Sequence, residues 1–412
     1  MVTFLGFEGR LLDRIVPKSL PVVYYYQTAI VFAIMMGMSL PSSFLPIMAQ
    51  NLDPTGVLVG MVVSAWFLSR IFLDLPAGVL SDRFGRRRLL VFGIGLSLFG
   101  PLLCALATNI YMLILGRTIW GVGSAFYFMN VYALLMDILP LSVRGRALGF
   151  FQGLEYTGNF LGAPIGAFLA AYASFSHVFY LSLMTTLASL VIALRSGRMK
   201  ETVTIDSVKT RGSLREVIGS LKSWGIIVVC LSSFLRYFIN AGIFGTVFQL
   251  YLNNGLLYSI EAIGIVLSVR IVGQVVSIIA AGMLSDRVGR VPVLIMGYMF
   301  SALAFFAFTL VNDLGAMLVI AVLQGVGEGF GFTTLIALLS DLSPPNIRGG
   351  VVGIFRTFND VGGFVGPIAF VLIYGGFRST NVFYLCVALN MICIALMLTL
   401  RTRHNLTPIP KS

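Results

Sequence analysis

Long apolar runs alternate with short polar connections along almost the whole chain. A membrane-spanning helix needs about 20 mostly apolar residues, and these runs have that length. In the first half of the chain the predicted spans are 22–48, 57–80, 89–107, 110–138, 144–172 and 175–195. In the second half they are 224–252, 258–284, 291–311, 313–341, 347–375 and 378–400. The pattern predicts an all-α membrane protein with twelve transmembrane helices. Gly37, Pro41 and Pro46 also predict a bend in the first of them.

The composition agrees with this pattern. Of the 412 residues, 58% are hydrophobic and only 11% are charged, whereas about a quarter of the residues of a soluble protein are charged. The mean hydropathy is +0.95, so a lipid bilayer is the expected surroundings. Four cysteines within apolar runs and two histidines offer no metal site. We expect no metal, no cofactor and no enzymatic activity.

The basic residues indicate the orientation of the chain. A net charge of +12 would favour nucleic acid binding if it formed a patch, but the lysines and arginines lie mainly in the short connections. Those on one side of the predicted membrane far outnumber those on the other, where Arg378 stands alone. Because cytoplasmic connections carry the excess of positive charge, we predict a multi-pass protein of the cell membrane, with both termini cytoplasmic and no nucleic acid partner.

One connection is much longer than the others and separates two groups of six spans. We predict an N-terminal bundle at 1–195, a cytoplasmic linker at 196–223 and a C-terminal bundle at 224–412. Within the linker, Ser213-x-x-Glu216 has the spacing of a capping box. It precedes apolar residues at helical intervals, which predicts a short amphipathic helix.

The two groups of spans are related by an internal repeat. The sequence Gly-x-Leu-Ser-Asp-Arg-x-Gly-Arg begins at Gly78 and recurs, 204 residues later, at Gly282. The same offset relates Gly121 and Gly123 to Gly325 and Gly327, Asp137 to Asp341, and Gly149, Gly158 and Gly162 to Gly353, Gly362 and Gly366. A fixed offset over this length indicates duplication.

This duplicated motif between the second and third spans of each half resembles that of the major facilitator superfamily. The resemblance covers essentially the whole chain and implies two pseudo-symmetric six-helix bundles that rock about one central site. In that family the motif closes an inner gate, its aspartate contacting the eleventh helix. The gate role falls on Gly78, Asp82, Arg83, Gly85 and Arg86, and on Gly282, Asp286, Arg287, Gly289 and Arg290. Asp137 and Asp341 are the expected partners of the arginines; the alternative is that these arginines only set the topology.

Two further patterns resemble motifs of the same family. Arg117-Thr118-Ile119-Trp120-Gly121-Val122-Gly123 is similar to a pattern associated with proton transfer, with Trp120 in place of glutamine. The second half keeps Gln324 but has Ala321 in place of the arginine, so the arginine role would belong to the first half. The alternative is that Arg117 extends toward the lipid headgroups.

Glycines in the fifth and eleventh spans form the other pattern. Gly149, Gly158 and Gly162 precede Pro164 in a spacing that resembles the motif of antiporters, although the proline is displaced by one place. Close packing by small residues is the competing explanation.

Nine ionisable residues fall deep within the spans, where charge is costly and usually functional. They are Arg70, Asp74, Arg117, Glu155, Arg236, Arg270, Glu328, Arg356 and Asp360. Arg70 with Asp74, and Arg356 with Asp360, are spaced by four residues and can neutralise one another on one helix face. Structural ion pairs therefore compete with function at these four positions.

The remaining carboxylates are candidates for coupling to protons. A carboxylate in a low-dielectric cavity can take up and release a proton at physiological pH. Glu328 is the first candidate, and Glu155 and Asp360 follow. Arg117, Arg236 and Arg270 could instead bind an anionic substrate, because guanidinium pairs well with carboxylate or phosphate.

The sequence thus predicts a monomeric secondary transporter for a small molecule, driven by protons. No Gly-x-x-x-x-Gly-Lys-Ser/Thr loop for ATP is present in this sequence. The helix 5 pattern and the many aromatic residues favour efflux of amphipathic, drug-like compounds. The alternative is proton-coupled uptake of an organic anion, favoured by Arg236 and Arg270. A non-transporting sensor on the same fold is a less favoured alternative, because no added soluble domain accompanies the spans.

Overall fold

The computed structural model describes residues 20–53, 56–140, 143–196, 214–344, 347–376 and 380–403, and these ranges contain helices but no strand. The helices of the first half are α1 (Val22–Ser39, then Leu40–Ser43 and Leu45–Leu52), α2 (Val59–Phe84), α3 (Arg86–Ser97 and Phe99–Ala105), α4 (Ile110–Ile138), α5 (Arg144–Tyr172) and α6 (Phe175–Arg195). Those of the second half are α7 (Trp224–Gly255), α8 (Ile260–Val288), α9 (Arg290–Phe308), α10 (Leu314–Leu342), α11 (Arg348–Gly376) and α12 (Asn381–Arg403). Each predicted span coincides with one of these helices.

Ten of the described helices are long and apolar enough to cross a membrane, by length and composition. The prediction of an all-α membrane protein with twelve helices is confirmed. In the linker, a short helix covers Leu214–Gly219 and a 3₁₀ turn covers Ser220–Lys222. The predicted capping residue Ser213 lies outside the described residues.

Helix ends repeat between the halves as the sequence does. The Asn109 side chain accepts a hydrogen bond from the Met112 backbone at 2.9 Å and begins α4. The equivalent Asp313 accepts from the Ala316 backbone at 3.0 Å and begins α10. Both side chains satisfy a backbone N–H that has no partner within its own helix.

The first helix of each half is irregular. Leu40–Ser43 is a 3₁₀ turn with Pro41 in its first turn, which interrupts α1 where the sequence predicts a bend. In α7, Asn240–Val247 is π-helical, which the sequence did not predict. Such wide turns are frequent at functional sites.

The same helix pairs form each half. α4 packs on α2 and α3, and α5 packs on α1; in the second half α10 packs on α8 and α9, and α11 on α7. The halves meet through α2 against α11 and α5 against α8. We call the end where α6 stops and α7 begins the linker end, and the opposite end the far end.

Candidate functional site

The duplicated motif lies at the linker end and forms an ion pair in each half. Arg86 Nε lies 2.6 Å from Asp137 Oδ2, which joins α3 to α4. Arg290 Nε lies 3.2 Å from Asp341 Oδ2, which joins α9 to α10 in the same way. Asp137 and Asp341 are therefore partners of these arginines. Gly85 makes the turn before Arg86 with φ of 89°, a conformation that favours glycine.

Other parts of the motif differ from the expectation or are not described. Asp286 is exposed and lies 2.7 Å from Arg290 Nη1 within its own motif. Arg287 is also exposed, and Gly289, like Gly85, has a positive φ. The side chains of Asp82 and Arg83, and the surroundings of Gly78, lie outside the described part of the chain. The contact of Asp82 with α11 therefore stays a prediction.

The described contacts between the halves include several close to the far end. Gln249 Nε2, on α7, donates to the backbone oxygen of Ser42 on α1 at 3.0 Å. Asn254 Nδ2 donates to Gln50 Oε1 at 2.8 Å. At Gly60 of α2, an added Cβ would overlap the backbone of α11. The two halves are thus closely joined at this end.

A charged cluster lies deeper along the contact of α2 with α11. Arg70 Nη2 lies 3.5 Å from Asp360 Oδ1 on the opposite half and 3.6 Å from Asp74 Oδ2 on its own helix. The guanidinium also lies 4.7 Å from the centre of the Trp66 ring, close enough for a cation–π interaction. The predicted pair of Arg70 with Asp74 is present, and it is joined by a carboxylate from the other half.

The predicted pair of Arg356 with Asp360 is wrong. The carboxylate of Asp360 pairs with Arg70, because α11 packs against α2 at this level. Arg356 instead reaches across to α4, where Nη1 lies 4.0 Å from Met129 Sδ and the guanidinium lies 5.4 Å from the ring of Tyr132. A four-residue spacing makes a pair possible on one helix, but the neighbouring helix decides which partner is closer.

Glu155 belongs to the same cluster. The Tyr132 hydroxyl donates to Glu155 Oε2 at 2.7 Å, so α4 connects Glu155 of α5 to Arg356 of α11. The positive charge of Arg356 acts on Glu155, Asp74 and Asp360. We call Arg70, Asp74, Glu155, Arg356 and Asp360 the interface cluster. It contains three carboxylates but only two guanidinium groups.

A second charged group lies within the second half. Arg236 Nη2, on α7, lies 2.6 Å from Glu328 Oε1 on α10, and both side chains are buried. The Arg236 guanidinium is 5.0 Å from the centre of the Phe332 ring. Phe332 meets Tyr156 of α5 edge to face, with ring centres 5.9 Å apart. The carboxylate that ranked first for proton coupling is therefore already neutralised by an arginine.

Arg270 and Arg117 are buried without an ion pair among the described residues. Arg270 Nε donates to Gln324 Oε1, and the guanidinium lies 3.9 Å from the Phe244 ring centre. Arg117 Nε donates to the Val62 backbone oxygen at 3.4 Å. The alternative that Arg117 extends toward the headgroups is wrong, since its side chain is buried in the helix bundle.

The glycine patterns of α5 and α11 serve close packing. A Cβ at Gly158 or Gly162 would overlap the backbone of α1, and one at Gly362 or Gly366 would overlap the backbone of α7. Nearer the linker end, Gly149 and Gly353 have no described atom within 4 Å of an added Cβ. The packing explanation therefore accounts for the inner glycines of both patterns.

Several residues of the site could not be identified from the sequence. Tyr132, Met129 and Trp66 contact the charged side chains, but each is an ordinary apolar or aromatic residue within a span. The contact of Arg270 with Gln324 was also not predicted. In the second half, Ala321 stands where the first half has Arg117, and the guanidinium that reaches Gln324 comes from α8 instead. Helical packing brings these groups together, and their spacing in the sequence does not reveal it.

Comparisons with known proteins agree with this architecture. The family model described as Major Facilitator Superfamily matches residues 28–239 and 229–412. The chain is 28% identical over 364 residues to the multidrug resistance protein MdtG of Escherichia fergusonii, covering 85% of this chain and 88% of that protein. It is 24% identical over 341 residues to multidrug resistance protein 1 of Bacillus subtilis, covering 82% and 86%. It is also 23% identical over 354 residues to the quinolone resistance protein NorA of Staphylococcus aureus, covering 85% and 88%.

A solved structure has the same fold. It is a bacterial homologue of the human lysosomal transporter Spinster in an inward-facing, unoccupied conformation, with a TM-score of 0.76 and 13% sequence identity. The alignment covers 92% of this chain and 96% of that one.

Proposed function

The chain belongs to the major facilitator superfamily, and on that premise we propose that it exports amphipathic, drug-like cations in exchange for protons. That it is a multi-pass membrane transporter, and not an enzyme, follows from the family and from its transporter relatives. The substrate class, the direction and the coupling to protons are the proposal. The names of the relatives, which refer to multidrug and quinolone resistance, support this choice.

The observation that carries the proposal is the composition of the interface cluster. Among the described residues, the positive charges that act on Asp74, Glu155 and Asp360 are those of Arg70 and Arg356, so one negative charge is in excess when all three carboxylates are ionised. A buried charge in a membrane protein is costly unless it is compensated. Either a proton or a cationic ligand can compensate it, and the two therefore compete.

Competition of this kind accounts for exchange. A proton that binds the cluster displaces the cation, and a cation that binds releases the proton. Asp360 and Arg70 lie on opposite halves, so any change in their charge also changes how strongly the halves attract one another. Binding is thereby linked to the movement of the halves in an alternating-access cycle.

Glu328 is not the carboxylate we propose for coupling. Arg236 Nη2 lies 2.6 Å from Glu328 Oε1 within the same half, so the two charges neutralise one another and Glu328 carries no negative charge in excess. Asp360 and Glu155, which also ranked as candidates, belong to the cluster that has carboxylate in excess.

The linker-end motif remains our proposed inner gate. The pairs of Arg86 with Asp137 and of Arg290 with Asp341 hold the motif against α4 and α10. Asp82 belongs to the last turn of α2, which ends at Phe84. From there it would make the contact with α11 that the family resemblance implies. We propose that this contact forms when the linker end closes.

The contacts between the halves support a conformation that is closed at the far end and open at the linker end. The halves are joined near the far end through Gln249 and Asn254, whereas nearer the linker end no described atom lies within 4 Å of a Cβ added at Gly149 or Gly353. With the linker end on the cytoplasmic side, as the basic residues predict, a compound would enter the central space from the cytoplasm.

The experiment is transport by purified protein in liposomes. With an acidic interior, we expect the wild type to accumulate ethidium, a cationic dye, above its external concentration. The variant Asp360→Asn is expected to lose at least about tenfold of this gradient-driven accumulation, because the cluster no longer has excess charge for a proton to compensate. Exchange of labelled for unlabelled ethidium without a gradient should persist, but at higher ethidium concentrations, because the substitution also removes the charge that attracts the cation. Undiminished gradient-driven accumulation by the variant would refute the role of Asp360.

A matched control keeps the test specific. Asn359 is the neighbour of Asp360, is also buried, and hydrogen bonds to Ser233 within the second half. Asn359→Ser is expected to keep the dependence on the pH gradient. A loss of that dependence equal to the loss in Asp360→Asn would point to disturbed packing of α11 and not to charge.

A further inference from the structure

A polar cavity lies inside the second half, apart from the interface cluster. The space that the centre of a water molecule can occupy in this cavity is about 20 Å³. This is enough for one small ion or water molecule but not for a drug-sized compound. Helices α7, α9, α10 and α12 enclose it. Its polar lining consists of Arg236, Asn240, Tyr298, Ser301, Gln324, Glu328 and Asn390.

The charge at this cavity is positive. Arg236 and Arg270 are both buried, and among the described residues the carboxylate whose charge acts on both is Glu328. Arginine stays protonated even when it is buried. Two guanidinium groups and one carboxylate therefore leave one positive charge in excess within the membrane, where it is costly without compensation.

The two arginines also have hydrogen-bond donors without acceptors among the described residues. Arg236 Nε and Arg270 Nη2 are buried and have no hydrogen-bond partner among the described residues. Gln324 Oε1 accepts from Arg270, which fixes the orientation of the amide and leaves its NH₂ group to donate elsewhere. Since Gln324 lines the cavity, Arg270 acts on the cavity through this amide.

We propose that the cavity binds a monatomic, monovalent anion of the size of chloride. The anion supplies the missing negative charge and accepts hydrogen bonds from Arg236 and from the Gln324 amide. A cation is unfavourable at this place, because the nearest carboxylate, Glu328, is occupied by Arg236. An organic anion is too large for the volume. The inference is independent of the substrate and of the direction of transport.

The test is the thermal stability of the purified protein at constant ionic strength, with chloride replaced stepwise by gluconate. A ligand that binds only the folded state raises its midpoint of unfolding. We expect the midpoint to rise by about 3–5 °C at saturating chloride, and bromide to act like chloride. Equal midpoints in chloride and in gluconate would overturn the proposal.

Variants of opposite sign make the test specific to this cavity. Arg270→Gln removes the excess charge and is expected to weaken the apparent chloride affinity by roughly tenfold or more. Glu328→Gln increases the excess charge and is expected to strengthen it. Arg117→Gln, a buried arginine of the first half, should leave the chloride dependence unchanged. An unchanged chloride affinity in Arg270→Gln, or the loss of chloride dependence in Arg117→Gln, would contradict the assignment.

A measurement on the wild type covers the case in which a variant does not fold. In crystals grown with bromide, we expect an anomalous scattering peak within hydrogen-bonding distance of Arg236 Nε and Gln324 Nε2. Density at that position with no anomalous signal would identify a water molecule and would refute the anion. Neither measurement involves a proton gradient, so its outcome is separate from that of the transport experiment.

Discussion

The two halves of the chain agree at the linker end and differ in the middle of the membrane. Arg86 with Asp137 and Arg290 with Asp341 form equivalent ion pairs at equivalent positions. Glu328 and Arg236, in contrast, correspond by the 204-residue offset to Ser124 and Phe32. The duplication therefore preserves the framework of turns and packed helices, while the buried charges have become specific to one half.

This difference separates two kinds of buried charge. The interface cluster joins the halves and has an excess of carboxylate, whereas the group of Arg236, Arg270 and Glu328 lies inside one half and has an excess of guanidinium. Only charges at the interface are placed to sense the movement of one half against the other. Charges within a half are placed to stabilise it or to bind a fixed ion.

The largest difference between the halves is expected at position 328. Glu328→Ala leaves Arg236 buried without its partner, which should lower the free energy of unfolding by about 3–5 kcal/mol. Ser124→Ala removes only a hydroxyl that donates to its own helix, at 2.8 Å from the Gly121 oxygen, and should cost about 1 kcal/mol or less. Denaturant unfolding in detergent measures both. Equal losses would show that the buried ion pair is not the difference between the halves.

A smaller effect, equal in both halves, is expected at the packed glycines. Gly162→Ala and Gly366→Ala place a methyl group against the backbone of α1 and α7 respectively, which should cost about 1–3 kcal/mol each. No described atom lies within 4 Å of a Cβ added at Gly149 or Gly353, so Gly149→Ala and Gly353→Ala should be neutral or stabilise by up to about 1 kcal/mol. Thermal unfolding of the four variants tests this. A cost at Gly149 as large as at Gly162 would contradict the packing explanation.

The smallest effect on stability is expected at the linker-end pairs. Arg86 and Arg290 are partly exposed, so replacing either with glutamine should cost only about 0–1 kcal/mol. Transport, however, should slow in both variants if the motif holds the inner gate. Initial rates of ethidium uptake into liposomes measure this. A normal rate combined with normal stability in both variants would leave the arginines with no role beyond topology.

Much of the fold could be predicted from the sequence, because apolar length and repeated turns are local properties. The twelve spans, the bend near Pro41 and the partners Asp137 and Asp341 all follow from runs, breaks and the internal repeat. The pairing of Asp360 could not be predicted in this way. Arg356 has the right spacing on its own helix, yet Arg70 from another helix is the ion-pair partner.

The π-helical stretch of α7 and the contact of Arg270 with Gln324 could not be predicted from the sequence for the same reason. Both depend on how the helices pack against one another, and the spacing of residues along the chain does not reveal that packing. Of the nine ionisable residues predicted deep within the spans, Arg117, Arg236, Arg270, Glu328 and Asp360 are buried and the other four are partly buried. Their division into a negative interface cluster and a positive group within one half required the structure.

Proton release on ligand binding tests the central claim most directly. In weakly buffered detergent solution, saturating ethidium should release protons from the wild-type protein, and its affinity should fall as the pH is lowered, because binding and protonation are reciprocally linked. Asp360→Asn should bind ethidium more weakly, with no proton release and with little dependence on pH. Wild-type protein that binds ethidium with the same affinity at every pH and releases no protons would contradict competition at the interface cluster.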